Sequence, residues 1–102
     1  MPRLVYDPET VRDFDRIFDH FARHDPVVAR ETIGHIVEAM KILVTSPLLG
    51  RPTAGGKREL VIGRGTRGFV ALYRYLPREA EIATEKAAWL PGEDVVARLH
   101  AL

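Results

Sequence analysis

Arginines crowd the stretch from Gly50 to Tyr75 (GRPTAGGKRELVIGRGTRGFVALYRY), the densest arginine cluster in the chain, with Arg58, Arg64, Arg67 and Arg74 as the candidate contacts. Guanidinium groups bind carboxylates and phosphates through paired N–H donors, so such a cluster suits an acidic protein segment or a nucleic-acid backbone. A plainer reading lets Arg64 and Arg67 solvate a turn and pairs Arg74 with Glu59 across two strands. Lys86 and Trp89 extend the candidate contact set. Tryptophan is enriched at interface anchors, although core filling is its commoner role. Tyr73 and Tyr75 alternate onto one strand face, where aromatics stack bases or, more commonly, pack a core. His20 and His24 are four apart and could share a metal ion, but no third ligand stands near them and Phe21 breaks the HExxH pattern, so a solvated pair is the better reading. The GRGTRG segment lies between two strands and opens no helix, so it lacks the amide cradle of a phosphate loop.

The elements that must position these groups follow from spacing. Arg58 to Ile62 and Phe69 to Tyr75 are apolar runs separated by Gly63-Arg64-Gly65-Thr66-Arg67-Gly68, which reads as a β-hairpin. Arg3 to Tyr6 is a short strand stopped by Asp7-Pro8, a helix-start signal in which the carboxylate accepts orphan N–H groups and proline needs no donor. Glu9 to His24 then carries Val11, Phe14, Ile17, Phe18, Phe21 and Ala22 at helical spacing. Asp25-Pro26 repeats the start signal. A second helix, with Ala29, Ile33, Ile36, Val37, Met40, Leu43 and Val44 on one side, ends at Thr45-Ser46-Pro47. Pro47 to Lys57 is turn-rich. Ile82 to Trp89 (IATEKAAW) stands between strand and helix, because alternation is poor while Ala, Glu and Lys favour helix. Beyond Pro91-Gly92, Glu93 to Leu102 has the spacing of a short amphipathic helix. The order β-α-α-β-β-β predicts an α+β fold, a small antiparallel sheet with a helical hairpin packed on one face.

The chain has 102 residues, 46% hydrophobic and 28% charged, enough for one domain over 1–102 and not for two cores. Lys+Arg 15 against Asp+Glu 14 gives a net charge of +1, which argues against a binder that holds nucleic acid by bulk charge and leaves only a local basic face. With no cysteine there is no disulfide framework, thiolate nucleophile or thiolate metal site. No stretch approaches the ~20 apolar residues of a membrane helix, and the N-terminus lacks a signal-peptide core. A soluble, cytoplasmic protein without cofactor is expected.

The segment DPETVRDFDRIFDHFARHDPVVARETIGHIVEAMKILVTSPLLGRP, followed by RELVIGRGTRGFVALYRY, is similar to toxins of the RelE/ParE superfamily of bacterial type II toxin–antitoxin (plasmid stabilisation) modules. The capped helix pair, Gly50-Arg51-Pro52, Arg58-Glu59-Leu60 and Leu72-Tyr73-Arg74 in that order carry the resemblance. It implies a cognate antitoxin partner, a homodimer or a hetero-oligomer with that antitoxin, and one of two activities. RelE-type members cleave messenger RNA on the ribosome with a crowd of Lys and Arg and a late tyrosine; ParE-type members poison DNA gyrase without chemistry of their own. Val70 stands where the nucleases carry arginine, and no tyrosine follows Tyr75, so the ParE-like reading is preferred with no catalytic residue. The nuclease alternative would draw on Arg58, Arg67, Arg74 and Lys86, and a degraded toxin that still folds is a third reading. Family members end in a strongly apolar strand and a basic tail, from which Glu81 to Trp89 departs.

Overall fold

A computed structural model describes residues 1–64 and 67–90, apart from the side chains of Arg64, Arg67, Trp89 and Leu90. Both Asp-Pro pairs start helices. Asp7 accepts the Glu9 N–H at 2.8 Å ahead of α1 (Pro8–Ala22), and Asp25 accepts the Val27 N–H at 2.9 Å ahead of α2 (Pro26–Lys41). A 3₁₀ turn over Ile42–Val44 extends α2 before the chain reaches Pro47. The expected terminal helix over Glu93 to Leu102 and the middle of the Gly63–Gly68 turn lie outside the described residues.

Among the described residues five strands form one sheet: β1 (Arg3–Tyr6), β2 (Arg51–Pro52), β3 (Arg58–Arg64), β4 (Arg67–Leu76) and β5 (Glu81–Leu90), in the order β1-β5-β4-β3-β2. The expected α+β layout is found, with two additions. The two-residue β2 extends the sheet beyond β3, and β1 runs parallel to β5 while every other pairing is antiparallel. No tight turn ties β1 to β5; the chain leaves β1 through both helices and returns to it last, so nothing local dictates an antiparallel join.

β5 resolves the strand-or-helix ambiguity of IATEKAAW. Leu72 pairs with Lys86 and Tyr73 with Thr84, so Glu85 is the extra residue of a β-bulge. The bulge resets the two-residue period: Ile82 and Thr84 are buried before it, and Ala87 is buried after it. Strict alternation fails in the sequence for that reason. Backbone pairing with β4 along its whole length outweighs the weak helix preference of Ala, Glu and Lys.

The helices cover one sheet face. Ile17, Ile36, Met40 and Leu43 meet Leu60, Phe69, Ala71, Tyr73, Ile82 and Ala87 in a single core, with Phe21 set edge-on to Phe69 and Tyr6 to Phe14. Among these apolar groups the buried Thr84 Oγ1 lies 3.1 Å from the Val5 carbonyl oxygen and 3.2 Å from Thr10 Oγ1, and accepts the Asp7 N–H at 3.3 Å. That small network ties the start of α1 to the β1–β5 seam and leaves no polar atom there unmatched.

Candidate functional site

Opposed residues in neighbouring strands share a face, so the register sorts the candidates. Tyr6, Thr84, Tyr73 and Arg58 form one cross-strand row on the helix-covered face. Tyr73 is fully buried. Its hydroxyl accepts the Gly50 N–H at 2.8 Å and donates to the Pro47 carbonyl at 2.8 Å. Beside it, Arg58 Nη1 donates to the Gly50 carbonyl at 2.8 Å and the Leu48 carbonyl at 3.3 Å. Gly50 has no space for a side chain, since a Cβ there would sit 2.7 Å from Tyr73 Cε1 and Oη and 3.0 Å from the Glu59 carbonyl oxygen. The turn over Pro47 to Gly50 is therefore clamped from beneath by two side chains of the hairpin, while Leu48 and Leu49 project from it, 61% and 55% exposed.

Burial holds the Tyr73 hydroxyl above its ordinary pKa, against the opposing pull of the Gly50 N–H and the Arg58 charge. It is a neutral structural phenol at physiological pH, unsuited to taking a proton. Tyr75 is half-buried against the same core.

Among the described residues no helix lies on the opposite face. Arg74 Nε donates to Glu85 Oε1 at 2.8 Å and its Nη1 to the Gly55 carbonyl at 2.7 Å, while Lys57 Nζ meets Glu85 Oε2 at 2.8 Å. The bulge thus places Glu85 between two cations, and the hydrogen bond from Lys57, reinforced by Arg74, lowers the Glu85 pKa. The expected Arg74–Glu59 pair is not formed. Glu59 opposes Leu72 in the register and bonds Arg51 at 3.2 Å, whereas the extra residue in β5 brings Glu85 to Arg74. Lys86 is exposed on this face beside Leu72, Val61, Val70 and Ala88.

The arginines consequently do not make one patch. Arg58 and Arg74 lie on opposite faces of the sheet; Arg64 and Arg67 pair through their backbones at the far end of the hairpin, and Trp89 pairs with Phe69, all three with side chains outside the described residues. His20 packs edge-on to Phe21, His24 is exposed, and no group of three metal-ligating side chains occurs among the described residues. No described helix is long and apolar enough to cross a membrane.

A further concavity of about 350 Å³ lies between α1 and β5, lined by Asp13, Arg16, Ile17, His20, Phe21, Ala87 and Ala88. It exists because β1 pairs only as far as Thr84, after which α1 takes over the edge of β5. Asp13, almost fully buried, accepts the Ala87 N–H on Oδ2 at 3.0 Å and pairs with Arg16 through Oδ1. Asp13, Glu85 and the Leu48-Leu49 pair were not singled out by residue type and spacing. For Glu85 the signal was the broken alternation itself, and for the leucines it was their position between Pro47 and Gly50.

The family model described as the ParE toxin of type II toxin–antitoxin systems, parDE, matches residues 4–84, which takes in β1, both helices, the hairpin and β5 up to the residue before the bulge. A solved chain from the chromosomal ParDE toxin–antitoxin system of P. aeruginosa superposes with a TM-score of 0.73 at 30% identity, covering 85% of this chain and 94% of that one. No curated protein matches the chain. The capped helix pair and ordered strands that carried the resemblance in sequence fall within residues 4–84, and the chain belongs to the ParE toxin family of type II toxin–antitoxin systems.

Proposed function

We propose that this chain is a toxin that inhibits DNA gyrase by binding, without chemistry of its own, and is neutralised in the cytoplasm by a cognate antitoxin with which it forms a hetero-oligomer. The observation that carries the reading is the engagement of Arg58 and Tyr73. Both side chains are bonded to the Pro47–Gly50 turn, so the hairpin's tyrosine and its first arginine serve the fold and not a scissile phosphate. Arg74 is likewise tied to Glu85 and Gly55. A ribonuclease needs cations and a proton-handling group poised toward an open substrate site.

In this reading the sheet face opposite α1 and α2, with Arg74 and Lys86 around the strip of Val61, Val70 and Leu72, contributes to partner binding together with Arg64, Arg67 and Trp89. The neighbour's ParDE system is a toxin–antitoxin pair, and the concavity beside α1, apolar at Ile17 and Phe21, offers an antitoxin segment a groove. A supercoiling assay with purified gyrase tests the proposal: inhibition that titrates with toxin and is reversed by antitoxin is expected. Normal supercoiling at saturating toxin would refute it, and primer extension showing A-site cuts in translated messages would replace it with the nuclease.

A further inference from the structure

Leu48 and Leu49 are consecutive, large, apolar and more than half exposed, on a turn whose backbone is braced at several points. The Tyr73 hydroxyl holds Pro47 and Gly50, Arg58 holds Leu48 and Gly50, and the Leu49 N–H donates to the Ser46 carbonyl at 3.1 Å. Gly50 is packed so closely against Tyr73 that a Cβ there would sit 2.7 Å from the ring and its hydroxyl. Solvent-exposed leucines gain nothing for the fold, while the bonds that stabilise the turn beneath them also fix where they project. Fixing a projecting pair before contact removes part of the ordering cost of association.

We infer that the Leu48-Leu49 turn is the element by which the toxin engages its target, inserting the two leucines into an apolar pocket of a folded protein. This rests on the toxin reading above and adds to it a surface separate from the sheet face and the groove named there. Two observations define the partner. A projection of two side chains fits a concave pocket, whereas an extended or helical antitoxin segment needs a groove, and the groove lies elsewhere. The cross-strand rows at Ala87 and Ala88 place it toward the hairpin tip, while the turn sits over the Tyr73–Arg58 row. Charge supplies the second. Among the described residues Arg58 is bonded to neutral carbonyls and to no carboxylate, so its positive charge stands uncompensated beside the leucines and calls for an acidic group at the rim of the pocket.

The test uses the full chain carrying Leu48→Ser and Leu49→Ser together, with Val27→Ser as a control at another exposed apolar position, 53% exposed on α2. Wild type and the control should arrest growth on induced expression. The double variant should need about a hundredfold more toxin for the same effect, roughly a factor of ten for each anchor removed, with unchanged thermal midpoint and unchanged affinity for the antitoxin. Undiminished growth arrest by the double variant overturns the inference, and so does a parallel loss of antitoxin affinity, which would make the turn an antitoxin contact. If wild type arrests growth without inhibiting purified gyrase, the gyrase reading falls while the comparison of variants still decides this one. Absence of growth arrest by wild type removes both.

Discussion

Replacing Tyr73 with Phe deletes one oxygen from the core and tests whether the Pro47–Gly50 turn hangs on it. The ring, fully buried, keeps its packing. Two hydrogen bonds disappear: the Gly50 N–H, buried with its residue, loses its acceptor, and the half-buried Pro47 carbonyl loses its donor. An orphaned buried donor costs about 1–3 kcal/mol, and the carbonyl, which can reach water, costs less. Removing the hydroxyl's own desolvation offsets a part. A net loss of about 2 kcal/mol is expected, a large share of the ~5–15 kcal/mol that stabilises a domain, and it should lower the thermal midpoint by roughly 10 °C for a chain of this length. Urea unfolding followed by circular dichroism should show a lower midpoint at unchanged slope. Amide exchange should quicken at Gly50 while the amides between β3 and β4 stay protected. A loss under about 0.5 kcal/mol with Gly50 still protected would refute the clamp, because the turn would then hold its shape without the phenol.

Gly50→Ala should destabilise by about 1–3 kcal/mol through overpacking, since the atoms it meets belong to a buried ring and a strand backbone that cannot give way; denaturant unfolding measures it. Asp13→Ala strands the Ala87 N–H and should cost about 1–3 kcal/mol, with Asp13→Asn costing less because an amide oxygen still accepts that bond; the ranking is read from chemical denaturation of both variants. Glu85 has a pKa lowered in the folded chain, so its ionised form stabilises the fold above the unfolded value of about 4.3, and that contribution is lost as pH falls through the folded value. Glu85→Gln should therefore be less stable than wild type near neutrality, by under about 1 kcal/mol for groups this open to solvent, and the two thermal midpoints should converge as pH falls through the lowered folded value.

The helices were legible in the chain because their signals are local: Asp7-Pro8 and Asp25-Pro26 fix the starts through groups two residues away, and the apolar spacing fixes the buried stripe. The hairpin was legible for the same reason, from two apolar runs with glycines between them. What chain order left open was every relation set by distant pairing. β1 runs parallel to β5 because strands joined only through the whole domain owe their direction to packing. One extra residue, Glu85, turned a strand that looked helical into the partner of β4 and carried its carboxylate to Arg74 instead of leaving that role to Glu59. Arg58 and Arg74, close in sequence and alike in chemistry, were separated onto opposite faces by the register, so that one braces a turn and the other joins an ion network. Residue types and short spacings thus determined the elements and the family, while three-dimensional pairing alone decided which side chains meet, since a strand's two faces diverge at every residue and a single bulge exchanges them.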